Sequence, residues 1–201
     1  MTLKEMKIKV FSLIEEYYPE ASGLAEDEDV LNKVNGVFNS IQLDLMKYRK
    51  LPANTEIDVK ENSSRIITLS EEISDIYQIN KIILDSEDGK SHSFSYIDED
   101  NIEVDDDFVG KIRVYYYKYP KMAKVSFEEN EDKDDYDNNF KIDIDLVLQE
   151  VMPYGMARDI LRLDMISQYG TYFERTYNEM KQQLDSRRTA GVINIVGGDD
   201  I

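Results

Sequence analysis

Apolar residues recur at intervals of three and four in the first quarter of the chain. This spacing places them on one side of a helix with about 3.6 residues per turn. We therefore expect two amphipathic helices, separated by Pro19 and Gly23, with the second ended by Pro52 because proline has no amide to donate. The apolar positions are Leu3, Met6, Val10, Leu13, Ile14 and Tyr17 in the first helix, and Val30, Val34, Val37, Phe38, Ile41, Leu45 and Tyr48 in the second.

The stretch from Ile142 to Asp185 shows the same periodicity and is expected to form two further helices. The first should begin shortly before Pro153 or kink there. A break is expected between Gln168 and Gly170, since glycine interrupts a helical pattern. The apolar positions are Leu146, Val147, Val151, Tyr154, Ala157, Ile160, Leu161 and Met165, followed by Phe173, Tyr177, Met180 and Leu184.

The region between these helical parts has a different pattern, with six short runs rich in β-branched and aromatic residues and separated by turn residues. The segment from Asp85 to Gly89 is expected to form a hairpin loop, because Asp-Gly tolerates positive φ. The sequence therefore predicts an α+β fold. It is a small bundle of N- and C-terminal helices with an inserted antiparallel β meander or sandwich and an extended C-terminal tail.

The expected organisation has five parts. Residues 1–52 form the N-terminal helices, 53–128 the inserted β domain, 129–141 an acidic linker, 142–188 the C-terminal helices and 189–201 the tail. The linker is expected to be solvated, because closely spaced carboxylates resist compaction.

Charge and composition exclude several classes of function. The formal net charge is −18, and such a surface repels nucleic-acid phosphates, so sequence-specific nucleic-acid binding is not expected. Binding to anionic membranes is disfavoured for the same reason. The chain has no cysteine, which rules out disulfides and thiolate chemistry. No signal peptide and no membrane span are expected, since no apolar run approaches about 20 residues.

Candidate catalytic groups are few. His92 is the only histidine and lies among serines, but neighbouring strand residues point to opposite faces, so we expect an exposed strand residue. Asp132, Asp134 and Tyr136 occupy alternate positions without the glycine and the closing glutamate of a calcium loop. We therefore expect no catalytic residues, no metal site and no cofactor.

The tyrosines form a pattern that is more informative about function than the candidate catalytic groups. In Tyr115-Tyr116-Tyr117 and Tyr119, strand alternation should bury some rings and expose others. Tyrosine is common where one end of a side chain is buried and the other is wet, as in protein interfaces. Candidate residues of a subunit or partner interface are Tyr115, Tyr117, Tyr119 and Tyr172.

The last residues are too apolar for an exposed terminus that makes no contacts. Val-Ile-Asn-Ile-Val at residues 192–196 has the composition of a strand and would be satisfied by adding to the sheet of a partner. Burial of a few aliphatic side chains does not offset the ordering of the whole tail, which favours a multivalent assembly. The predicted docking tail comprises Arg187, Arg188, Val192, Ile193, Ile195, Val196 and Ile201.

Three segments, in order, carry a resemblance to a known family: KIRVYYYKYP before an acidic loop, the helix LVLQEVMPYGMARDILRLD, and the helix YFERTYNEMKQQL before a glycine-containing tail. Over about residues 55–190 the chain resembles the head–tail connector adaptors of tailed bacteriophages. The pattern is a profile of residue types and contains no signature motif.

The resemblance implies a non-enzymatic structural virion protein located in the neck, between the capsid portal and the tail, and made in the host cytoplasm. Its implied partners are the portal protein, stopper or tail proteins, and copies of itself in a ring, usually a dodecamer, through which DNA passes. The C-terminal tail would reach the portal. An alternative is a β-rich ligand-binding or adhesion module, with calcium dependence through its acidic loops.

Overall fold

In the computed structural model the protein is an α+β fold, as predicted, and residues 1–129, 131–163 and 167–189 are described. The helices are α1 (Leu3–Tyr17), a 3₁₀ helix (Pro19–Ala25), α2 (Glu28–Met46), α3 (Leu69–Glu72), α4 (Lys133–Asn139), α5 (Leu146–Leu163) and α6 (Ser167–Thr189). The strands are β1 (Leu51–Val59), β2 (Ile66–Thr68), β3 (Ile76–Ser86), β4 (Phe94–Tyr96), β5 (Asn101–Val104) and β6 (Gly110–Lys118).

The chain divides into two compact units. One contains Met1–Arg49 and the chain from Lys121 onward, and the other is Lys50–Pro120, where the insert was expected at residues 53–128. Residues 121–124 belong with the helices because side chains of α2 bind their backbone. Asn39 donates to the carbonyl of Ala123 at 2.8 Å and accepts from its amide at 2.7 Å, and Gln42 donates to the carbonyl of Lys121 at 2.8 Å.

In the helical unit, α5 packs against α1, α2 and α6. The start of α1 is fixed by a capping box, in which Thr2 and Glu5 satisfy each other's backbone amides. Met165 lies outside the described residues, and among the described positions of the predicted apolar sets two are wrong, since Tyr17 is 44% and Leu146 is 73% exposed. Leu146 is the first residue of α5, so it precedes the buried face. That face consists of Leu148, Val151, Met152, Met156, Ala157, Ile160 and Leu161.

The helix boundaries differ from the expected ones at three places. Helix α2 ends at Met46, before Pro52, which lies in β1 at the edge of a sheet, where a missing amide costs no strand pairing. Helix α5 begins about two turns before Pro153 and continues through it. The predicted break between Gln168 and Gly170 is wrong, since α6 begins at Ser167 and contains the buried Gly170.

The β unit consists of two three-stranded antiparallel sheets with the orders β1-β6-β3 and β2-β5-β4. Neither order is that of a simple meander, because β6 lies between β1 and β3, and β5 lies between β2 and β4. Residues of both sheets form one hydrophobic core, as in a small sandwich. Its fully buried members include Leu69, Ile102, Phe108, Ile112 and Val114.

In the segment from Asp85 to Gly89, the first two residues end β3 and Glu87 and Asp88 form a turn, but the segment is not a hairpin loop. Gly89 has φ of +70°, as expected for Asp-Gly, yet β3 pairs with β6 while β4 belongs to the other sheet. Gly110 at the start of β6 allows β3 to approach, since a Cβ there would lie 2.2 Å from the carbonyl oxygen of Asp85. The hairpin prediction was wrong because pairing is chosen by the shared core, and the local turn signal does not contain that information.

The acidic segment expected as a solvated linker contains α4. Asp132 caps this helix by accepting from the amides of Asp134 and Asp135 at 2.9 and 3.1 Å. Asp137 of α4 is only 4% exposed and faces α1. The difference arises because a carboxylate can be buried when a cation from another helix meets it.

Candidate interaction surface

The strand β6 sorts its tyrosines between core and surface, as the alternation predicted. Tyr116 is buried and its hydroxyl donates to Asp75 at 3.1 Å. Burial, with the nearby carboxylate, raises the pKa of Tyr116. Tyr115 is 36% exposed and Tyr117 is half-buried, both on the opposite face of the sheet. The core side therefore anchors the strand that presents the outer rings.

The outer rings form a cluster around one cation. Tyr77 of β3 and Tyr119 just after β6 meet edge to face, with ring centroids 5.2 Å apart. The Nζ of Lys50 lies 5.0 Å from the ring centroid of Tyr117 and 5.8 Å from that of Tyr77. We call Lys50, Tyr77, Tyr115, Tyr117 and Tyr119 the tyrosine surface. Tyr77 was missed by sequence reasoning because its pairing partner β6 lies far along the chain.

Charged side chains on the same sheet neutralise each other beside the tyrosine surface. Arg113 of β6 lies 3.0 Å from Glu56 of β1 and 2.9 Å from Asp85 of β3. Lys111 donates to Glu56 at 2.8 Å, and this hydrogen bond lowers the pKa of Glu56. Exposed aromatic rings are typical of the centre of a protein interface, and polar or charged side chains are typical of its rim.

Tyr172 belongs to the helical unit, where it stacks on Tyr17 with ring centroids 4.5 Å apart. Tyr172 is 38% exposed and Tyr17 is 44% exposed, so this pair presents a second aromatic area. The hydrogen bond with Tyr172 raises the pKa of Tyr17 to about 12.

The predicted docking tail lies almost wholly outside the described residues. Helix α6 runs to Thr189, so the backbone of Arg187 and Arg188 is in its last turn, where cations are favoured. The other predicted tail residues, Val192, Ile193, Ile195, Val196 and Ile201, lie outside the described residues.

His92 is not the exposed strand residue that was expected. Its side chain is only 4% exposed, and it precedes β4. The ring packs edge to face on Phe108 at 5.4 Å and lies 3.4 to 3.6 Å from the carboxylates of Asp88, Asp105 and Asp107. The expectation failed because the turn after β3 brings the histidine back against the loop before β6.

The surroundings of His92 favour a structural role. Ser93 donates both its amide and its hydroxyl to Asp105, at 2.7 and 2.8 Å, so this serine is not directed at the imidazole. The same two hydrogen bonds lower the pKa of Asp105. Hydrogen bonds from Lys90 and Ser86 hold the pKa of Asp88 well below its usual range. The contacts of His92 with Asp88 on one side and with Asp105 and Asp107 on the other therefore tie the two loops together.

A buried ion pair in the helical unit was missed by sequence reasoning. Lys7 of α1 donates to Asp137 of α4, with 9% and 6% of these side chains exposed. Burial lowers the pKa of Lys7, and the contact with Asp137 opposes that change. The pair lines a cavity of about 380 Å³ with an apolar side formed by Ile8, Phe11 and Leu31. The available signal was the position of Lys7 inside the apolar stripe of α1.

Metal-ligand clusters and long apolar helices are further features that would indicate a function. In the described part of the chain, no group of three or more histidine or carboxylate side chains is arranged to hold a metal ion. Nor does any helix within these ranges combine the length and the apolar character that crossing a membrane requires. Comparison with known proteins finds no matching family model and no matching curated protein. Function is therefore inferred from the chemistry of the surfaces described above.

Proposed function

We propose that the protein is a structural adaptor that works by binding other proteins and catalyses no reaction. The observation that carries this proposal is the tyrosine surface, in which exposed rings are held on a rigid sheet by the core behind it. Tyrosine contributes strongly to protein interfaces because its ring buries a large area with little loss of side-chain freedom. Tyr77 and Tyr119 are 37% and 45% exposed, so a partner would remove much apolar area from water.

The sequence resemblance gives this role a specific form. The adaptor would be a head–tail connector of a tailed bacteriophage, forming a ring of copies beneath the portal and joining it to stopper or tail proteins. The net charge of −18 suits a ring through which DNA passes, because a surface of like charge does not hold the phosphates. The exposed aromatic areas of the two units supply surfaces for neighbouring copies and for partners.

The proposal is tested by mixing the purified chain with the portal oligomer from the same genome and imaging the products by electron microscopy. We expect ring-shaped complexes in which the chain extends the portal. A chain lacking residues 191–201 should melt at nearly the same temperature and fail to dock. A portal that stays bare with the full chain, at protein concentrations well above micromolar, contradicts the adaptor function.

A further inference from the structure

A groove of about 520 Å³ lies between β1 and β2, each of which is an edge strand of its sheet. Its walls are the last three residues of β1 and the whole of β2, and Glu71 and Glu72 of α3 line it as well. Ile66 is 49% exposed there, next to the buried Ile57 and Ile67. An isoleucine here leaves apolar area in water beside the edge of a strand. Such an exposed apolar edge favours pairing with another chain.

The two edges of the groove are not equally open. The hydroxyl of Ser64 donates to the carbonyl of Ile66 at 2.7 Å and accepts from its amide at 3.2 Å, so the edge of β2 is already satisfied there. Strand β1 is nine residues long and is paired along its length to β6 on one side. A strand entering the groove would therefore find its hydrogen-bonding partners on β1.

The chain itself contains a segment that suits this edge. Residues 192–196, Val-Ile-Asn-Ile-Val, span about 16 Å when extended, which is shorter than β1. In an extended strand Ile193 and Ile195 lie on one face and Asn194 on the other. The two isoleucines can cover Ile66, while Val192, Asn194 and Val196 lie on the opposite face.

Charge complementarity favours the same occupant. Asp58, Glu71 and Glu72 line the groove and give it a negative rim. Arg187 and Arg188 come a few residues before the apolar segment, and they are the only two adjacent arginines in a chain of net charge −18. Asp199 and Asp200 follow the same segment, so the attraction holds for a strand antiparallel to β1, which places the two arginines and not these carboxylates near the acidic rim.

We infer that residues 192–196 of one copy add as a strand to the free edge of β1 in a second copy, with Arg187 and Arg188 near the acidic rim. This inference rests on the proposed function, and it replaces the portal, which the resemblance implies as the target of the tail, with a neighbouring copy of the adaptor. One such contact is weak, since ordering the segment opposes burial of its side chains. A closed ring repeats the contact at every subunit and so converts weak pairing into a stable assembly.

The absence of cysteine from the chain makes the contact measurable by disulfide cross-linking. Ile66→Cys in one chain and Ile195→Cys in a second chain of different length are mixed at about 1 mM, a concentration comparable to that within an assembly. We expect a disulfide-linked heterodimer. Ile97→Cys is the matched control, because Ile97 is an isoleucine of the same unit with 51% exposure, compared with 49% for Ile66, and does not line the groove.

Two further variants sharpen the result. Glu72→Cys places a second thiol at the rim of the groove and should also cross-link, which keeps the test independent of the folding of the Ile66 variant. Adding Arg187→Glu and Arg188→Glu to the Ile195→Cys chain should lower the heterodimer yield, since these changes reverse the attraction to the rim.

Equal yields with Ile66→Cys and Ile97→Cys overturn the inference. So does a chain carrying both Ile66→Cys and Ile195→Cys that links only within itself. These results are separate from the test of the adaptor function. Rings that still form on the portal while the cross-link is absent would support the adaptor function and contradict the strand addition. If the chain never docks on the portal, the adaptor function falls.

Discussion

Gly155 of α5 lies against the ring of Tyr177 on α6, so that a Cβ on Gly155 would be only 2.7 Å from the Cε2 of Tyr177. The same Cβ would lie 3.1 Å from the Cδ1 of Ile41 on α2. The Tyr177 hydroxyl is fixed by a hydrogen bond to Asp44 at 2.9 Å, so the ring cannot withdraw without breaking it. Three helices therefore meet at a position where only glycine fits.

Gly155→Ala is expected to destabilise the protein by about 1–3 kcal/mol through overpacking, although alanine is the better helix former. The matched control is Gly36→Ala in α2, where the new methyl group would be 4.0 Å from Val125, an ordinary contact. That variant should be neutral or more stable by up to about 1 kcal/mol. Urea unfolding of both variants checks the pair, and equal effects would contradict the close-approach explanation.

The buried pair of Lys7 and Asp137 gives a second prediction. Lys7→Met should cost about 3–5 kcal/mol, because it leaves the carboxylate of Asp137 buried without its cation. The Oδ1 of Asp137 already lacks a hydrogen-bond partner among the described residues. The double variant Lys7→Met with Asp137→Leu should recover part of the loss. Denaturant unfolding of the three variants measures the coupling between the two side chains.

The control for this pair is Lys4→Met. Lys4 lies 3.7 Å from Asp134 of α4, but 40% and 82% of these side chains are exposed. Its removal should change stability by at most about 1 kcal/mol, as is usual for exposed ion pairs. A loss at Lys4 as large as that at Lys7 would indicate that burial does not govern these pairs.

The pH dependence of stability should reveal the contribution of Asp44 to the free energy of unfolding. Burial opposes its charge, but hydrogen bonds from Lys181 and Tyr177 outweigh burial and lower its pKa below the ordinary value of 3.8. A carboxyl with a depressed pKa contributes stability that is fully present above its unfolded pKa and is lost as the pH falls towards the folded one. The difference in unfolding free energy between wild type and Asp44→Asn should therefore shrink below pH 3.8. A difference that stays constant from about pH 6 to about pH 3 would argue against this role.

The tyrosine surface yields a prediction about assembly. Tyr77→Ala with Tyr119→Ala should weaken docking on the portal, with little change in melting temperature, because the two side chains are 37% and 45% exposed. The control is Tyr96→Ala in the same unit, since Tyr96 is 55% exposed and lies outside the tyrosine surface. Sedimentation of portal mixtures measures both. Equal loss of docking at Tyr96 would mean that the tyrosine surface is not the contact.

Local pattern was sufficient for most elements of the fold. The period of three and four identified the four long helices, and β-branched runs identified six strands, because side-chain spacing records which face of an element is buried. The alternation in β6 also predicted that Tyr116 and its neighbours Tyr115 and Tyr117 would face opposite ways. The α+β class follows directly from these two periodicities.

The tertiary structure decided what depends on contacts between distant parts of the chain. The pairing of β6 between β1 and β3, the burial of His92 among three carboxylates, and the placement of Asp137 opposite Lys7 each join residues far apart in sequence. An acidic segment and a lone histidine look solvated by composition alone. Asp137 and the side chain of His92 are nevertheless buried, because partners of opposite charge or matching shape offset the loss of water, and only the folded chain brings those partners together.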